Sequence, residues 1–224
     1  MLRIRPTTIV VGVICALIAP PFVQAGVLSH YAFDGDYTDS AGTNHGTLVE
    51  NGDADSGIIT TSGDYKFGTG SLNLSGDTDN TGDYVSLASQ TTFNSGDPYS
   101  FAFWARRTDS VQDWDMVIGA RGDNVNFIAL TSNAGQINPG GMRLRGHLPS
   151  SSGRDVDTIF GQDSNWHHYA VSVTAGNVAT TYVDGVVGTL EGTNDTPSGI
   201  FTYDTIGDAY SNAGFEFYGQ IDEI

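Results

Sequence analysis

The chain closes with Phe215-Glu-Phe-Tyr-Gly-Gln-Ile-Asp-Glu-Ile224, which is the most informative stretch of the sequence. Its first four residues alternate in the manner of a strand that buries one face and exposes the other. The chain then stops where a strand should continue. Two earlier stretches are of the same kind: His30-Tyr-Ala-Phe-Asp-Gly-Asp-Tyr37 near the start, and Trp166-His-His-Tyr-Ala-Val-Ser-Val173 later. All three predict β-structure.

Short β-branched and aromatic runs recur along the rest of the chain, separated by Gly, Asn, Asp, Ser and Thr, which is typical of antiparallel strands. No stretch of a dozen residues shows the apolar spacing of a helix. Val183-Asp-Gly-Val186 predicts a hairpin with a type I′ turn. Alternating runs lie at 71–75, 84–87, 99–104, 126–130, 142–145, 169–173 and 215–218. We therefore predict an all-β fold with two antiparallel sheets packed face to face.

The first 25 residues have the organisation of a secretory signal peptide. Arg3 and Arg5 precede an apolar run at 8–18, and Val23-Gln-Ala25 predicts cleavage after Ala25. The alternative is a transmembrane helix, but the run is shorter than the roughly 20 residues that cross a bilayer. The single cysteine, Cys15, lies inside this segment. The exported chain, 26–224, is therefore expected to form one domain without disulfide bonds.

The chain is strongly acidic, with 26 Asp and Glu residues against 9 Lys and Arg residues. Two of the arginines leave with the predicted signal peptide, which changes the net charge from −17 to −19. This charge argues against nucleic acid and anionic membranes as partners, and it favours divalent cations. An equally simple interpretation is that the acidity serves solubility.

These motifs, in this order, resemble the laminin-G-like (concanavalin A-like) jelly-roll family. The resemblance rests mainly on Phe33-Asp-Gly35, Asn44-His-Gly-Thr47, Tyr182-Val-Asp-Gly185 and Gly219-Gln-Ile-Asp-Glu223. It implies a concanavalin A-like jelly-roll sandwich over 26–224. Since members of the family usually continue past Ile-Asp-Glu, we expect the domain to be truncated at its C-terminal end.

The resemblance also implies a structural calcium ion where the first strand region meets the last. Carried over to this chain, it implies Asp222 as a ligand with a partner between Asp34 and Asn44, and Asp39 is the expected partner. Carboxylate oxygens in a flexible loop suit calcium. The alternative is that these aspartates cap turns by accepting backbone N–H bonds.

Several polysaccharide-cleaving enzymes share the fold, so a glycoside hydrolase or lyase is the main alternative to a binding module. Retaining glycosidases need two carboxylates about 5–5.5 Å apart. The laminarinase-like pattern has its nucleophile where this chain has Gln220, and an amide cannot attack an anomeric carbon. We therefore predict that the chain is not an enzyme. A purely structural domain of a larger surface protein is the third hypothesis.

Adjacent strand residues point to opposite faces, so His167 and His168 are not expected to bind one ion. We expect both histidines to bridge to the neighbouring loop, and Trp166 and Tyr169 to be structural. For carbohydrate, the predicted ligand-binding residues are Trp114, Arg143 and Arg145. Because Arg143 and Arg145 alternate with apolar neighbours, they are expected to share one face, where an anionic sugar could bind or surplus carboxylates could pair with them.

Trp104 alternates with Phe101 and Phe103 and is expected to pack rather than to serve as a ligand platform. Taken together, the sequence predicts a secreted or cell-surface binding or adhesion module. Its expected partner is an extracellular polysaccharide or glycoprotein, with calcium as structural support.

Overall fold

The computed structural model describes residues 26–51, 56–74, 82–107, 114–122, 127–131, 142–145, 154–157, 164–191, 200–208 and 217–224. Within these ranges the chain forms β-strands and no helix. Accordingly, no described helix is long and apolar enough to cross a membrane. The predicted signal peptide, 1–25, lies outside the described residues.

The strands are β1 Gly46–Val49, β2 Gly57–Ile59, β3 Ser71–Asn73, β4 Tyr84–Phe93, β5 Tyr99–Arg107, β6 Trp114–Gly119, β7 Phe127–Thr131, β8 Met142–Arg145, β9 Arg154–Asp157, β10 His167–Val173, β11 Ala179–Val183, β12 Val186–Val187, β13 Thr189–Glu191, β14 Phe201–Ile206 and β15 Gly219–Asp222.

The strands form two antiparallel sheets, as predicted. One sheet has the order β1-β4-β14-β6-β7-β8-β9-β13, and the other has the order β12-β11-β10-β5-β15-β3-β2. The late strands β14 and β15 lie between earlier strands in their sheets. Each sheet is therefore continuous only when its late strand has paired. Buried residues from both sheets form one core, including Phe103 and Val171 on one side and Ile128 and Ile206 on the other.

The predicted hairpin is confirmed between β11 and β12. Val183 pairs with Val186, and the two turn residues, Asp184 and Gly185, have φ angles of 48° and 78°. Two successive positive φ angles define the type I′ turn, whose twist matches that of the flanking strands. The turn therefore fixes the register of β11 against β12.

Gly219 opens β15 because the neighbouring strand leaves no room for a side chain. Its φ is 152°, and a Cβ atom would meet the backbone carbonyl of Arg106 and lie 3.0 Å from the Cα of Arg107. Close approach of two backbones is a recurrent reason for glycine in a strand. The glycine of the closing motif thus allows β15 to pair with β5.

The two ends of the described domain meet. Tyr31 N–H donates to the Ile224 carbonyl over 2.8 Å, and Ile224 N–H donates back to Tyr31 over 3.2 Å. His30 adds a side-chain contact, since its Nε2 lies 2.6 Å from the Glu223 carboxylate. The expected meeting of the first and last strand regions is therefore present.

An ion pair joins the two sheets at the margin of the core. Arg107 of β5 pairs with Asp115 of β6, and Asp115 is fully buried. The two strands belong to different sheets. A buried charge pair of this kind fixes the relative position of its two elements, because separating the charges leaves one of them uncompensated in the interior.

Candidate functional site

Asp222 anchors a loop to the sheet. It lies at the end of β15 and is fully buried, and its Oδ2 accepts the N–H groups of Lys66 over 2.7 Å and Phe67 over 2.9 Å. Its Oδ1 has no hydrogen-bond partner among the described residues. Burial raises the pKa of Asp222 to about 6, and the negative charges of Glu223 and Asp34 act in the same direction.

The loop that Asp222 holds, residues 60–70, is fixed at several further points. Asp34 Oδ1 accepts the N–H groups of Thr69 and Gly70. Arg106 reaches the same loop through the Gly63 carbonyl and the Asp64 carboxylate. The loop therefore lies firmly over the outer face of the seven-stranded sheet, with Asp34 and Asp222 bound to neighbouring parts of it.

Trp104 lies under this loop. The Phe67 ring meets it edge-on at 5.6 Å, the Lys66 Nζ lies 4.2 Å from its centroid, and the His168 ring lies 5.2 Å away. Trp104 is on the face opposite the core residue Phe103, so it is not part of the central core. These three side chains contact the Trp104 ring from the protein itself. The structure is therefore consistent with the prediction that Trp104 packs and does not stack on a ligand.

Asp39 serves a different segment. It is buried, and it accepts four backbone N–H groups, from His30, Ala41, Gly42 and Asn44, at 2.9–3.2 Å. Burial acts to raise the pKa of Asp39, but the four donors together hold it below its ordinary value. This is the turn-capping role that the sequence left open.

The structure does not join Asp39 and Asp222 through a common contact, whereas Asp34 lies near enough to Asp222 to raise its pKa. Among the described residues no group of three or more His, Cys, Asp or Glu side chains is arranged to hold a metal ion. The calcium expectation has one supporting observation, the buried and unpartnered Oδ1 of Asp222. An orphaned carboxylate oxygen is the kind of atom that calcium binds, with backbone carbonyls and water completing the set. The metal role of Asp39 stays a prediction.

The paired histidines bridge to the hairpin turn, as expected. His167 Nδ1 lies 2.7 Å from the Asp184 carboxylate, and the backbone N–H of His168 donates to its other oxygen over 2.9 Å. The His167 ring contacts Tyr169, and the His168 ring contacts Trp104, so the two rings lie on opposite faces. They do not form a two-histidine metal site.

The His30 ring lies between Ser40 and Glu223, as the histidine of a catalytic triad lies between a serine and an acid. His30 Nδ1 lies 2.7 Å from Ser40 Oγ, and its Nε2 contacts Glu223. Acyl transfer also needs N–H donors for the developing oxyanion. Here the N–H groups of Ala41 and Gly42, which directly follow the serine, are bound to Asp39. The three side chains therefore link the start of the described domain to its last residues.

Gln220, at the position of a glycosidase nucleophile, is held within the sheet. It is buried, its Oε1 accepts from Arg106 Nε, and its Nε2 donates to Asn73 Oδ1 over 3.2 Å. The amide thus organises the polar contacts between β15, β5 and β3.

The three predicted sugar-binding residues lie on adjacent strands of the eight-stranded sheet. Trp114 pairs with Thr131, Arg143 pairs with Ala129, and Arg145 pairs with Phe127. Their side chains lie outside what the structure describes. The three partner positions on β7 are two residues apart, which is the spacing of one face of a strand. The backbone register therefore brings Trp114, Arg143 and Arg145 to the same region of the sheet.

Two residues at the centre of that region, Ala129 and Met116, are buried. Ala129 lies between the core residues Ile128 and Leu130 on β7, so it faces away from the core, yet it is fully buried. Its register partner Met116 is 2% exposed. Ala129 is therefore covered by other parts of the chain and is not open surface.

Comparisons with known proteins agree with this architecture. The sequence model of the concanavalin A-like lectin/glucanases superfamily matches residues 79–224. No curated protein matches the chain in sequence. Among solved structures, the receptor binding domain of botulinum neurotoxin type G superposes with a TM-score of 0.51 at 13% identity, over 89% of this chain and 47% of that domain. The chain therefore spans about half the length of that domain.

The globular domain of Trypanosoma cruzi calreticulin superposes with a TM-score of 0.50 at 14% identity. The match covers 87% of this chain and 85% of the calreticulin domain. At these identities the two structures establish the fold alone.

Proposed function

Because the chain belongs to the concanavalin A-like lectin/glucanases superfamily, we propose that it is a non-catalytic module that binds a carbohydrate or glycoprotein outside the cell. One of its solved fold neighbours is a receptor-binding domain, which is consistent with a binding role. Fold alone does not dictate function, so the proposal depends on the site.

The observation that carries the proposal is the difference between the outer faces of the two sheets. Loop 60–70 covers the outer face of the seven-stranded sheet around Trp104. On the outer face of the eight-stranded sheet Ala129 is buried, and the register pairs Trp114, Arg143 and Arg145 with three alternate positions of β7 centred on it. An aromatic residue and two arginines on neighbouring strands are residue types that suit a sugar ring with acidic or hydroxyl substituents. We assign ligand binding to this face.

Calcium is part of the proposal, at Asp222 with Asp34 as the neighbouring acid. Asp222 supplies the buried unpartnered oxygen, and Asp34 holds the adjacent residues of loop 60–70. The ion would relieve the cost of a charged buried carboxylate and stabilise the loop. Calcium is expected to raise the melting temperature, since a ligand of the folded state stabilises it by mass action. Asp222→Asn should reduce this rise, whereas Asp97→Asn, which removes a charge from an exposed turn, should not.

The test of function is binding of the purified chain to a polysaccharide array, with calcium and again with EDTA, while the same wells are assayed for new reducing ends. Retention of a glycan without new reducing ends supports a lectin-like module. Release of reducing ends contradicts the non-catalytic assignment. Absence of binding to every polysaccharide and glycoprotein contradicts the carbohydrate assignment and leaves a structural domain.

A further inference from the structure

One row of positions on the outer face of the eight-stranded sheet carries an arginine and two acids. The strands β7, β8, β9 and β13 are consecutive neighbours in this sheet. Ala129 of β7 pairs with Arg143, Arg143 pairs with Asp155, and Asp155 pairs with Glu191. Residues that pair directly across antiparallel strands lie on the same face of the sheet. Arg143, Asp155 and Glu191 therefore share the outer face with Ala129.

The register gives Arg143 two acidic neighbours on β9. Asp155 is directly opposite, and Asp157, two positions further along β9, is diagonally opposite on the same face. Directly opposite residues have Cβ atoms about 4.5–5.5 Å apart, whereas diagonal neighbours are about 7–8 Å apart. Opposite charges at the shorter spacing stabilise a sheet. The positive charge of Arg143 is therefore matched by an acid at its own register position.

Arg145 has a different position in the register. It pairs with Phe127 on β7. The first residue of β9 pairs with Leu144, so the described residues of β9 place none directly opposite Arg145. The nearest acid of β9 is Asp155, which is at the diagonal spacing and is itself opposite Arg143. Within the described strands, Arg145 is thus the arginine of this face without an acid directly opposite.

The acidity of the chain makes this difference important for ligand binding. A net charge of −17 repels an anionic ligand unless a local cation offsets the repulsion. The row with Asp155 and Glu191 adds to this repulsion. A guanidinium that is not neutralised by an acid can bind a carboxylate or a sulfate through two parallel N–H···O bonds. The charge pattern therefore favours Arg145 over Arg143 as the residue that binds an anionic group.

The positions of Trp114 and Arg145 indicate the length of the ligand. Their partners on β7, Thr131 and Phe127, are four residues apart, which is about 14 Å along the strand. A single sugar ring does not span this distance. A ligand that uses both positions is therefore an oligosaccharide.

We propose that the ligand of the eight-stranded sheet is an anionic oligosaccharide, that Arg145 binds its carboxylate or sulfate group, and that Asp155 neutralises Arg143. This inference rests on the proposed function, which assigns ligand binding to this face. Arg145 determines the specificity for an anion. Asp155 is a positioning residue, because it acts on the ligand only through the charge of Arg143.

The experiment is isothermal titration calorimetry of the purified full chain with oligogalacturonate, with dextran sulfate and with neutral dextran. Arg145→Gln should weaken binding of an anionic probe by about tenfold or more, since a charged hydrogen-bonded pair is lost. Arg143→Gln should weaken it by less than about threefold. Lys66→Gln, a charge-matched change on the loop over the other sheet, should leave binding unchanged. The preferred probe identifies the bound group as a carboxylate or a sulfate.

Asp155→Asn tests the neutralising role of Asp155. Because this change frees the charge of Arg143, anionic probes should bind about threefold tighter or more. Adding Arg143→Gln to Asp155→Asn should then cost more affinity than Arg143→Gln does in the wild type, since the two positions are coupled. Asp97→Asn, at an exposed turn, is the control. If circular dichroism shows that Asp155→Asn does not fold, the two single arginine variants decide the result.

The outcomes separate this inference from the proposed function. Equal losses in Arg143→Gln and Arg145→Gln overturn the assignment of Arg145, and unchanged binding in a folded Asp155→Asn overturns the role of Asp155. Binding of neutral dextran as tight as that of the anionic probes overturns the anionic class, while carbohydrate binding stands. A wild-type chain that binds none of these probes and no glycan on the array refutes both.

Discussion

Replacing Asp222 by asparagine should change how stability depends on pH when divalent cations are absent. The folded-state pKa of Asp222 is about 6 against an ordinary value of 3.8, mainly because the carboxylate is buried. The folded chain therefore holds a proton between these pH values that the unfolded chain releases. By linkage, the wild type loses stability as the pH rises through 6. An asparagine at this position has no proton to lose.

The magnitude follows from the two pKa values. Each pKa unit corresponds to about 1.4 kcal/mol, so ionising the buried carboxylate costs about 3 kcal/mol at pH 7. At pH 4 most of this cost is absent. The difference in unfolding free energy between Asp222→Asn and the wild type should therefore shift in favour of the variant by about 2–3 kcal/mol from pH 4 to pH 7. The asparagine also changes the hydrogen bonds to Lys66 and Phe67, but this effect on the unfolding free energy does not depend on pH. It therefore cancels when the two pH values are compared.

Urea unfolding at pH 4, 5, 6 and 7 in EDTA, followed by tryptophan fluorescence, measures this shift. Asp97→Asn provides the control, because a substitution at an exposed turn should change stability by no more than about 0.5 kcal/mol. Parallel stability curves for wild type and Asp222→Asn would refute the argument that Asp222 is an uncompensated buried carboxylate. Adding calcium should then stabilise the wild type at pH 7 more than the variant.

Three further substitutions test the remaining parts of the fold by urea unfolding. Asp115→Ala should cost about 3–5 kcal/mol because the largely buried Arg107 guanidinium loses its ion-pair partner, and a loss below about 1 kcal/mol contradicts the buried pair. Gly219→Ala should cost about 1–3 kcal/mol because a Cβ atom meets the backbone of β5, whereas Gly176→Ala, where a Cβ atom would make only an ordinary contact with the Thr174 hydroxyl at 3.6 Å, should be nearly neutral. Asp39→Asn should cost about 1–3 kcal/mol at pH 7, with a deficit that shrinks as the pH falls below 3.8, because a carboxylate with a lowered pKa loses its stabilisation on protonation; a constant deficit contradicts the capping role.

The sequence predicted those features that depend on neighbouring residues. Alternation along 169–173 and 99–104 identified two paired strands, and Asp184-Gly185 identified the turn, because pleating and turn conformation are properties of a few consecutive residues. The opposite directions of His167 and His168 followed from the same geometry. Strand order was not predicted, since it depends on contacts between residues far apart in the chain.

The roles of the aspartates depended on such distant contacts. Asp222 binds backbone groups 155 and 156 residues away, so its sequence neighbours contain no sign of the loop it holds. Asp39 caps its own turn, and an Asp within a Gly- and Asn-containing loop is the local signal that indicated this alternative. Asp34 was not singled out from the range Asp34 to Asn44, because the backbone groups that it binds lie 35 and 36 residues away along the chain.

Carbohydrate binding by the outer face of the eight-stranded sheet is tested by the dissociation constant of the best array ligand for the wild type, for Trp114→Ala and for Arg143→Ala with Arg145→Ala. Tyr182→Ala and Lys66→Ala, on the other sheet and its covering loop, are the matched controls. Binding should be at least tenfold weaker for Trp114→Ala and for the double arginine variant, and unchanged for the controls. Unchanged binding in the first two variants, or equal losses in the controls, would contradict carbohydrate binding at this face.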